Sequence, residues 1–365
     1  MQVKRIILLS AFLFQFIFSF GQAVHHAKVN TAGAEAYFEI ASALVKGGDK
    51  HTVSWQRLFQ APAYQMMIAG NAFDTAVLKS NMQQVFSPAS TEGKHTFTAS
   101  ERYHKAYKDN QKQLESYTKM LHQLNVVDSV KALLNPLLPL RLQREELFPT
   151  LFYLNYGSAE ATGFGGVVFN DLLHAYTIDK YKFGLLAAHE AFHAVVSVAF
   201  QQKLKSDIDY SAADFNLLYF IQNVAEEGIA DLIDKPILLQ TNSPVYKEVK
   251  QLTEGDESPS IILIKKLDSV LTLANRSDQA LQQYSDFTAL ASAFGKNGGH
   301  VPGRFMGDVI KKAGLLPTHI DAVENPFSFL LTYSEAAKKN GKKYPYFSTE
   351  SLQYLQKLKA KYWQE

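Results

Sequence analysis

The sequence has no cysteine among its 365 residues. Disulfides, thiolate metal ligands, a thiol nucleophile and lipid attachment through an amino-terminal cysteine are thereby excluded. A surplus of charge is missing too: 37 Lys and Arg stand against 35 Asp and Glu, a formal net charge of +2. Neither nucleic acid nor an anionic membrane surface is expected as a partner on that balance. Beyond residue 23 there is no apolar run approaching the roughly 20 residues a spanning helix needs, and there is no internal repeat or low-complexity tract. What is present is ordinary globular composition, 47% hydrophobic and 20% charged, which argues against disorder. With 25 Phe and 18 Tyr, a chain this long can build a large core without disulfides.

Lys4 and Arg5 precede a 15-residue stretch, 6–20, that is apolar except for Ser10, Gln15 and Ser19, and Gly21-Gln22-Ala23 follows it. A basic start, an apolar middle and small residues at the end read as a cleavable secretory signal over 1–23. The stretch is short for a membrane anchor. The expectation is an exported protein, periplasmic or secreted, near zero net charge and without stable membrane insertion after cleavage.

Residues 24–145 read as a helical amino-terminal region. Ala34, Tyr37, Phe38, Ala41, Leu44 and Val45 recur at helical spacing before Gly47-Gly48. Shorter helices are expected over 55–59 and 63–69. The longest is expected over 100–134, with Tyr107, Leu114, Tyr117, Leu121 and Leu124 as its apolar stripe and Pro136 as its stop. Extended structure is expected around Phe152, Leu154, Tyr156 and 161–169, punctuated by glycine. Gly163-Phe164-Gly165-Gly166 lacks the Lys-Ser/Thr ending of a phosphate loop, so a strand or hairpin is expected. Helices return over 182–202, over 211–234 with Ser211 as N-cap, and over 261–274, 278–294 and 302–313, with Pro236 in a loop.

The chemistry concentrates at His189-Glu190-Ala191-Phe192-His193. Histidines four apart lie on one helix face, about 5–6 Å between Cβ atoms, and two imidazoles so placed can grip one ion. Glu190 falls beside the metal, where a general base takes a proton from the water that the metal activates. The flanking Leu185, Leu186, Ala187, Ala188, Ala191, Phe192, Ala194 and Val195 are all uncharged. The helix should therefore be buried, and its polar groups need partners. Zinc supplies one; core histidines satisfied within the protein are the alternative. A second helix, Asn223-Val224-Ala225-Glu226-Glu227-Gly228-Ile229-Ala230-Asp231, offers a carboxylate at 226 or 227, and only Glu227 has an acidic residue one turn on. Gly228 allows close approach of the two helices.

Val196 and Ala199 stand where a metzincin would have its glycine and third histidine. The chain instead resembles the gluzincin, thermolysin-like zinc metallopeptidases. That resemblance implies Glu227, 34 residues after His193, as third ligand, and Asp231 as the residue that orients a ligand histidine. More broadly, the chain is similar to a group of uncharacterised exported proteins regarded as zinc-dependent peptidases. It shares with them Trp55-x-x-Leu58-Phe59, the glycine-rich strand, Glu-Glu-Gly-Ile-Ala-Asp, Gly299-His300-Val301-Pro302-Gly303 and Asn325-Pro326-Phe327. A strand at 163–169 would then line the cleft and pair with substrate backbone. His300, in a glycine-rich turn before a helix, is the candidate oxyanion donor, with Tyr333 as runner-up. Arg304 is either a carboxylate binder or an ordinary surface charge.

The expectation is thus a predominantly helical α+β fold, a zincin-like metal helix packed on a small sheet, with residues 146–365 as the catalytic region. The activity expected is hydrolysis of peptide or protein substrates by Zn²⁺ on His189, His193 and Glu227. A zinc hydrolase of a non-peptide amide and a non-catalytic binding protein are the alternatives.

Overall fold

The alternation and helical periodicities read above become a helix-rich α+β fold with one four-stranded sheet. The computed structural model describes residues 28–47, 52–70, 74–88, 96–157, 161–241, 259–284, 287–294, 299–341 and 343–364. The expected signal over 1–23 lies outside them. Two compact units divide the chain: Met1–Leu133 with Phe148–Ala194, and Leu134–Leu147 with Val195–Glu365.

In the first unit, β1 (Val29–Asn30) leads into α1 (Ala32–Val45), α2 (Thr52–Gln60), α3 (Pro62–Ala69) and α4 (Thr75–Phe86). The helix expected over 100–134 is three helices, α5 (Ala99–Asp109), α6 (Gln111–Gln123) and α7 (Val126–Leu134). Asn125 breaks it with φ +48°, a left-handed conformation that asparagine tolerates better than most residues. Leu124, read as part of the apolar stripe, is consequently 58% exposed, while Tyr107, Leu114, Tyr117 and Leu121 are buried.

The sheet follows, with β2 (Thr150–Leu154), β3 (Ala161–Phe164) and β4 (Val167–Asp171) in the order β1-β2-β4-β3. β1 and β2 are parallel, as are β2 and β4; β3 runs antiparallel to β4 at the edge. The expected hairpin is β3–β4, closed by Gly165 and Gly166 at φ +55° and +80°. Two consecutive left-handed residues make the tight turn whose twist suits a hairpin. Side chains alternate between the faces. Leu154 meets α1 at Gly33, and Tyr153 meets Tyr117 of α6 on the opposite face. α8 (Leu172–Asp179) and α9 (Leu185–Gln202) complete the unit, whose boundary falls inside α9.

At the end of β4, Asp171 caps α8 by accepting the N–H groups of Leu173 and His174, both at 3.0 Å. It also accepts the hydroxyl of Tyr107, which in turn accepts Gly157 N–H at 2.9 Å.

The second unit holds three single 3-10 turns within 134–147, then α10 (Ala213–Gln240), α11 (Pro259–Arg276), α12 (Phe287–Ala293), α13 (His300–Lys312), α14 (Leu316–Ile320), α15 (Pro326–Lys339) and α16 (Thr349–Tyr362). Two expectations for α10 are corrected. Ser211 is not its N-cap: its hydroxyl and N–H both go to Asp209, at 2.6 and 2.9 Å, and Ala212 takes the position. Pro236 lies inside the helix, not in a loop. A proline there costs about 3 kcal/mol, and burial of Leu232, Ile233 and Leu238 around it offsets that cost.

Burial pushes the Asp171 carboxyl up to about 7, with Tyr107 and the backbone N–H groups only partly opposing it. A raised carboxyl adds stability that is fully present below pH ~4, the unfolded value, and is lost as pH rises through about 7. Asp171→Asn keeps the cap acceptor and cannot ionise. Urea denaturation should therefore show the variant gaining on the wild type, on the order of a few kcal/mol between pH 4 and 8.

Candidate metal centre

α9 is apolar on every side but one. Leu185, Ala187, Ala188, Ala191, Phe192 and Ala194 are buried, and so are His189, Glu190 and His193. The imidazoles stand one turn apart with Nε2 atoms 3.2 Å from each other and ring centroids 5.0 Å apart. Two Zn–N bonds of about 2.0–2.1 Å at a tetrahedral angle separate their nitrogens by roughly 3.3 Å. The histidine pair therefore fits a shared zinc ion without rearrangement. The edge strand reaches this helix at Gly163: a Cβ there would lie 1.8 Å from the Glu190 carbonyl oxygen. Only glycine at 163 lets β3 touch the backbone of the residue between the two histidine positions.

In the second unit, Glu226, Glu227, Asp231 and Asp234 are all buried on α10. Glu226 accepts the side-chain amide of Gln222 at 2.6 Å. Glu227 receives Nδ1 of His300 at 2.9 Å, and Asp231 lies 3.3 Å from the same nitrogen. Asp231 is also 3.3 Å from the Lys235 ammonium, which bonds Asp234 at 2.6 Å. Glu227, Asp231 and His300 each offer a ligand atom within 4.8 Å of the others, so this cluster of two buried carboxylates and a partly exposed imidazole could hold a metal ion.

Small residues make the His300 contact possible. A Cβ on Gly303 would come within 2.3 Å of Val224 O, and one on Gly307 within 2.1 Å of Gly228 O. α13 and α10 thus touch backbone to backbone. The helix that Gly228 admits is α13: a Cβ at 228 would lie 2.7 Å from Gly303 O and 2.4 Å from the Phe329 ring.

Charge sets the protonation of this cluster. Burial opposes ionisation of Asp231, but Lys235 and His300 outweigh it and hold the carboxyl below its ordinary value. Burial likewise opposes a charged His300, yet Glu227 and Asp231 raise it to about 10. Lys235 is held charged by Asp234 and Asp231 against the same desolvation.

Among the residues read from the sequence, His189 meets His193, and His300 meets Glu227 and Asp231. Tyr333 is a core tyrosine: it is fully buried and its hydroxyl donates to the Pro345 carbonyl at 2.6 Å. Arg304 is buried, not a surface charge, one turn beyond His300 on α13. Sequence reading missed Lys235. Its position four residues after Asp231, in a helix apolar on most sides, was the available signal.

A family model matches residues 55–342, and its description is "Putative zinc dependent peptidase (DUF5700)". The chain belongs to this family. No curated protein and no solved structure matches it.

Removing the Lys235 ammonium would take away the cation that Asp231 and Asp234 share, leaving Asp231 with His300. Breaking a buried pair in this way costs about 3–5 kcal/mol. Lys235→Met should lower the urea-derived stability by that amount at pH 7, and the double variant with Asp234→Asn should recover part of it.

Proposed function

We propose that this chain is an exported gluzincin-type zinc peptidase whose ion is held by His189, His193 and Glu227. The 3.2 Å between the two Nε2 atoms carries the reading, because it is the separation that two ligands of one tetrahedral zinc require. The family's description supports the metal and the reaction class, and the basic-apolar-small leader supports export.

Zinc, when bound, supplies Lewis acidity to the scissile carbonyl and acidity to water. The chain's own residues do the rest. Glu190, beside the first histidine, takes the proton from the attacking water and delivers it to the leaving amine. His300 donates Nδ1–H to Glu227 and Asp231, which leaves Nε2–H to steady the oxyanion. Asp231 acts behind the ligands, fixing ring orientation. Among the described residues β3 pairs with β4 alone, so its other edge can take a peptide backbone in an added antiparallel strand. Substrates are peptides or proteins, and nucleic acid is not a partner.

The purified protein should carry one equivalent of zinc by atomic emission, and His189→Ala, His193→Ala and Glu227→Ala should each lose it. Glu190→Gln should keep the zinc and lose about a hundredfold or more in peptide-library hydrolysis. Zinc retained with hydrolysis indifferent to Glu190→Gln would establish a binding protein instead. Cleavage confined to non-peptide amides would move the substrate class.

Removal of one oxyanion donor costs about 10²–10³ in kcat. His300→Ala should show that loss, and Tyr333→Phe should stay within about twofold of the wild type, since its hydroxyl is spent on Pro345.

A further inference from the structure

The start of the metal helix is held by a side chain outside it. Asp179 ends α8, and its carboxylate reaches forward over the turn into α9. Oδ2 accepts Gly184 N–H at 2.8 Å and Oδ1 accepts Leu185 N–H at 3.1 Å, and Leu186 N–H is a third donor. A helix start leaves several N–H groups without intrahelical acceptors; here one carboxylate serves three consecutive ones. Tyr117 of α6 donates its hydroxyl to the same Oδ2 at 2.7 Å. Its ring packs on Tyr153 of β2 and Tyr176 of α8, with centroids 6.4 and 5.6 Å away. Gly184, at φ +78°, makes the turn, and a Cβ there would meet Val130 of α7 at 3.2 Å. The first turn of α9 is therefore tied to α6 and through Tyr117 to the sheet, one turn before His189.

We propose that Asp179, held by Tyr117, is a positioning residue for the metal: it sets the axial position and rotation of α9 and so the spacing and aim of the His189 and His193 nitrogens. The inference rests on reading those histidines as ligands. Two features favour it over an ordinary cap. The carboxylate is supported by a side chain from another helix, so the anchor is fixed to the fold and not only to the adjacent turn. Burial also pushes its carboxyl up to about 6, so ionisation at neutral pH has a cost. The charge sits at the positive end of the helix that carries both imidazoles and Glu190, where an anion is favoured. A helix displaced at its start carries all three groups with it, and misplacements of about 1 Å are enough to disable such sites.

The test compares wild type, Asp179→Ala, Asp179→Asn and Tyr117→Phe in the full chain. Urea midpoints of the metal-free proteins identify folded variants. Zinc affinity is measured by competition with a chromophoric chelator, and ligand geometry by the visible spectrum of the cobalt(II)-loaded protein. Asp179→Ala should weaken zinc about tenfold, the range seen when support behind a ligand is lost, and should change the band shape of the cobalt spectrum. Asp179→Asn, whose amide oxygen still accepts one N–H, and Tyr117→Phe should fall between it and the wild type. Folded variants with zinc affinity within about twofold of wild type and superimposable cobalt spectra overturn the positioning role while leaving the zinc reading intact. Should Asp179→Ala not fold, Asp179→Asn and Tyr117→Phe decide by the same criteria. A wild type whose cobalt spectrum is indifferent to His189→Ala overturns the ligand reading, and this inference with it.

Discussion

Burying charge in two nearly apolar helices is the constraint on which the rest of this structure turns. α9 carries His189, Glu190 and His193, and α10 carries Glu226, Glu227, Asp231, Asp234 and Lys235, all but Lys235 less than a tenth exposed. Each ionised group taken out of water costs several kcal/mol unless a partner meets it. In the second unit the partners are specific: Gln222 for Glu226, His300 for Glu227, and Lys235 shared by Asp231 and Asp234. In the first unit the two imidazoles face one another at a ligand spacing. Such groups are poor core material, and their arrangement is one that could hold a metal ion.

Backbone sterics determine which partners are available. His300 reaches Glu227 because α13 approaches α10 at van der Waals contact of the main chains, and that approach exists only because 228, 303 and 307 lack a Cβ. Gly299, at φ +124°, also lies against Val224 and delivers His300 as the first residue of α13. At the edge of the sheet the same logic operates at Gly163, whose missing Cβ lets β3 lie on the Glu190 carbonyl. In the second unit close packing and the polar cluster are one arrangement: widening the α10–α13 contact by a methyl group would separate His300 from Glu227 and Asp231.

Local chemistry was legible in the sequence where the interacting groups are close in sequence. The four-residue spacing of His189 and His193 is a helix property, and the hairpin at Gly165-Gly166 is a turn property. Both appear where the residues place them. What stayed hidden depends on distant partners. Asn125 carries no signal that separates a helix interior from a left-handed break, so 100–134 looked continuous. Tyr333 is the lesser oxyanion candidate and reads also as a core tyrosine, which the donation of its hydroxyl to Pro345 makes it. His300 could be read as a turn residue or a catalytic one, because its contact with Asp231 spans 69 positions. Asp179 carries no local sequence signal, since its donors lie beyond a glycine turn.

The two units treat their buried acids in opposite ways, and the difference bears on function. Asp171 and Asp179 are met by tyrosine hydroxyls and backbone N–H groups, which are neutral, and burial raises them to about 7 and about 6. They are held as geometry, with ionisation costing stability near neutral pH. Asp231 is met by Lys235 and His300, which are cationic, and although it is as buried as Asp171 its carboxyl is held below the ordinary value. A carboxylate that is to act on a cation or an imidazolium must already be ionised when that partner arrives, and cationic neighbours secure this at the lowest dielectric cost. Neutral donors suffice for a brace. The division of partners thus separates acids that brace the first unit through neutral donors from an acid held ionised by cations in the second.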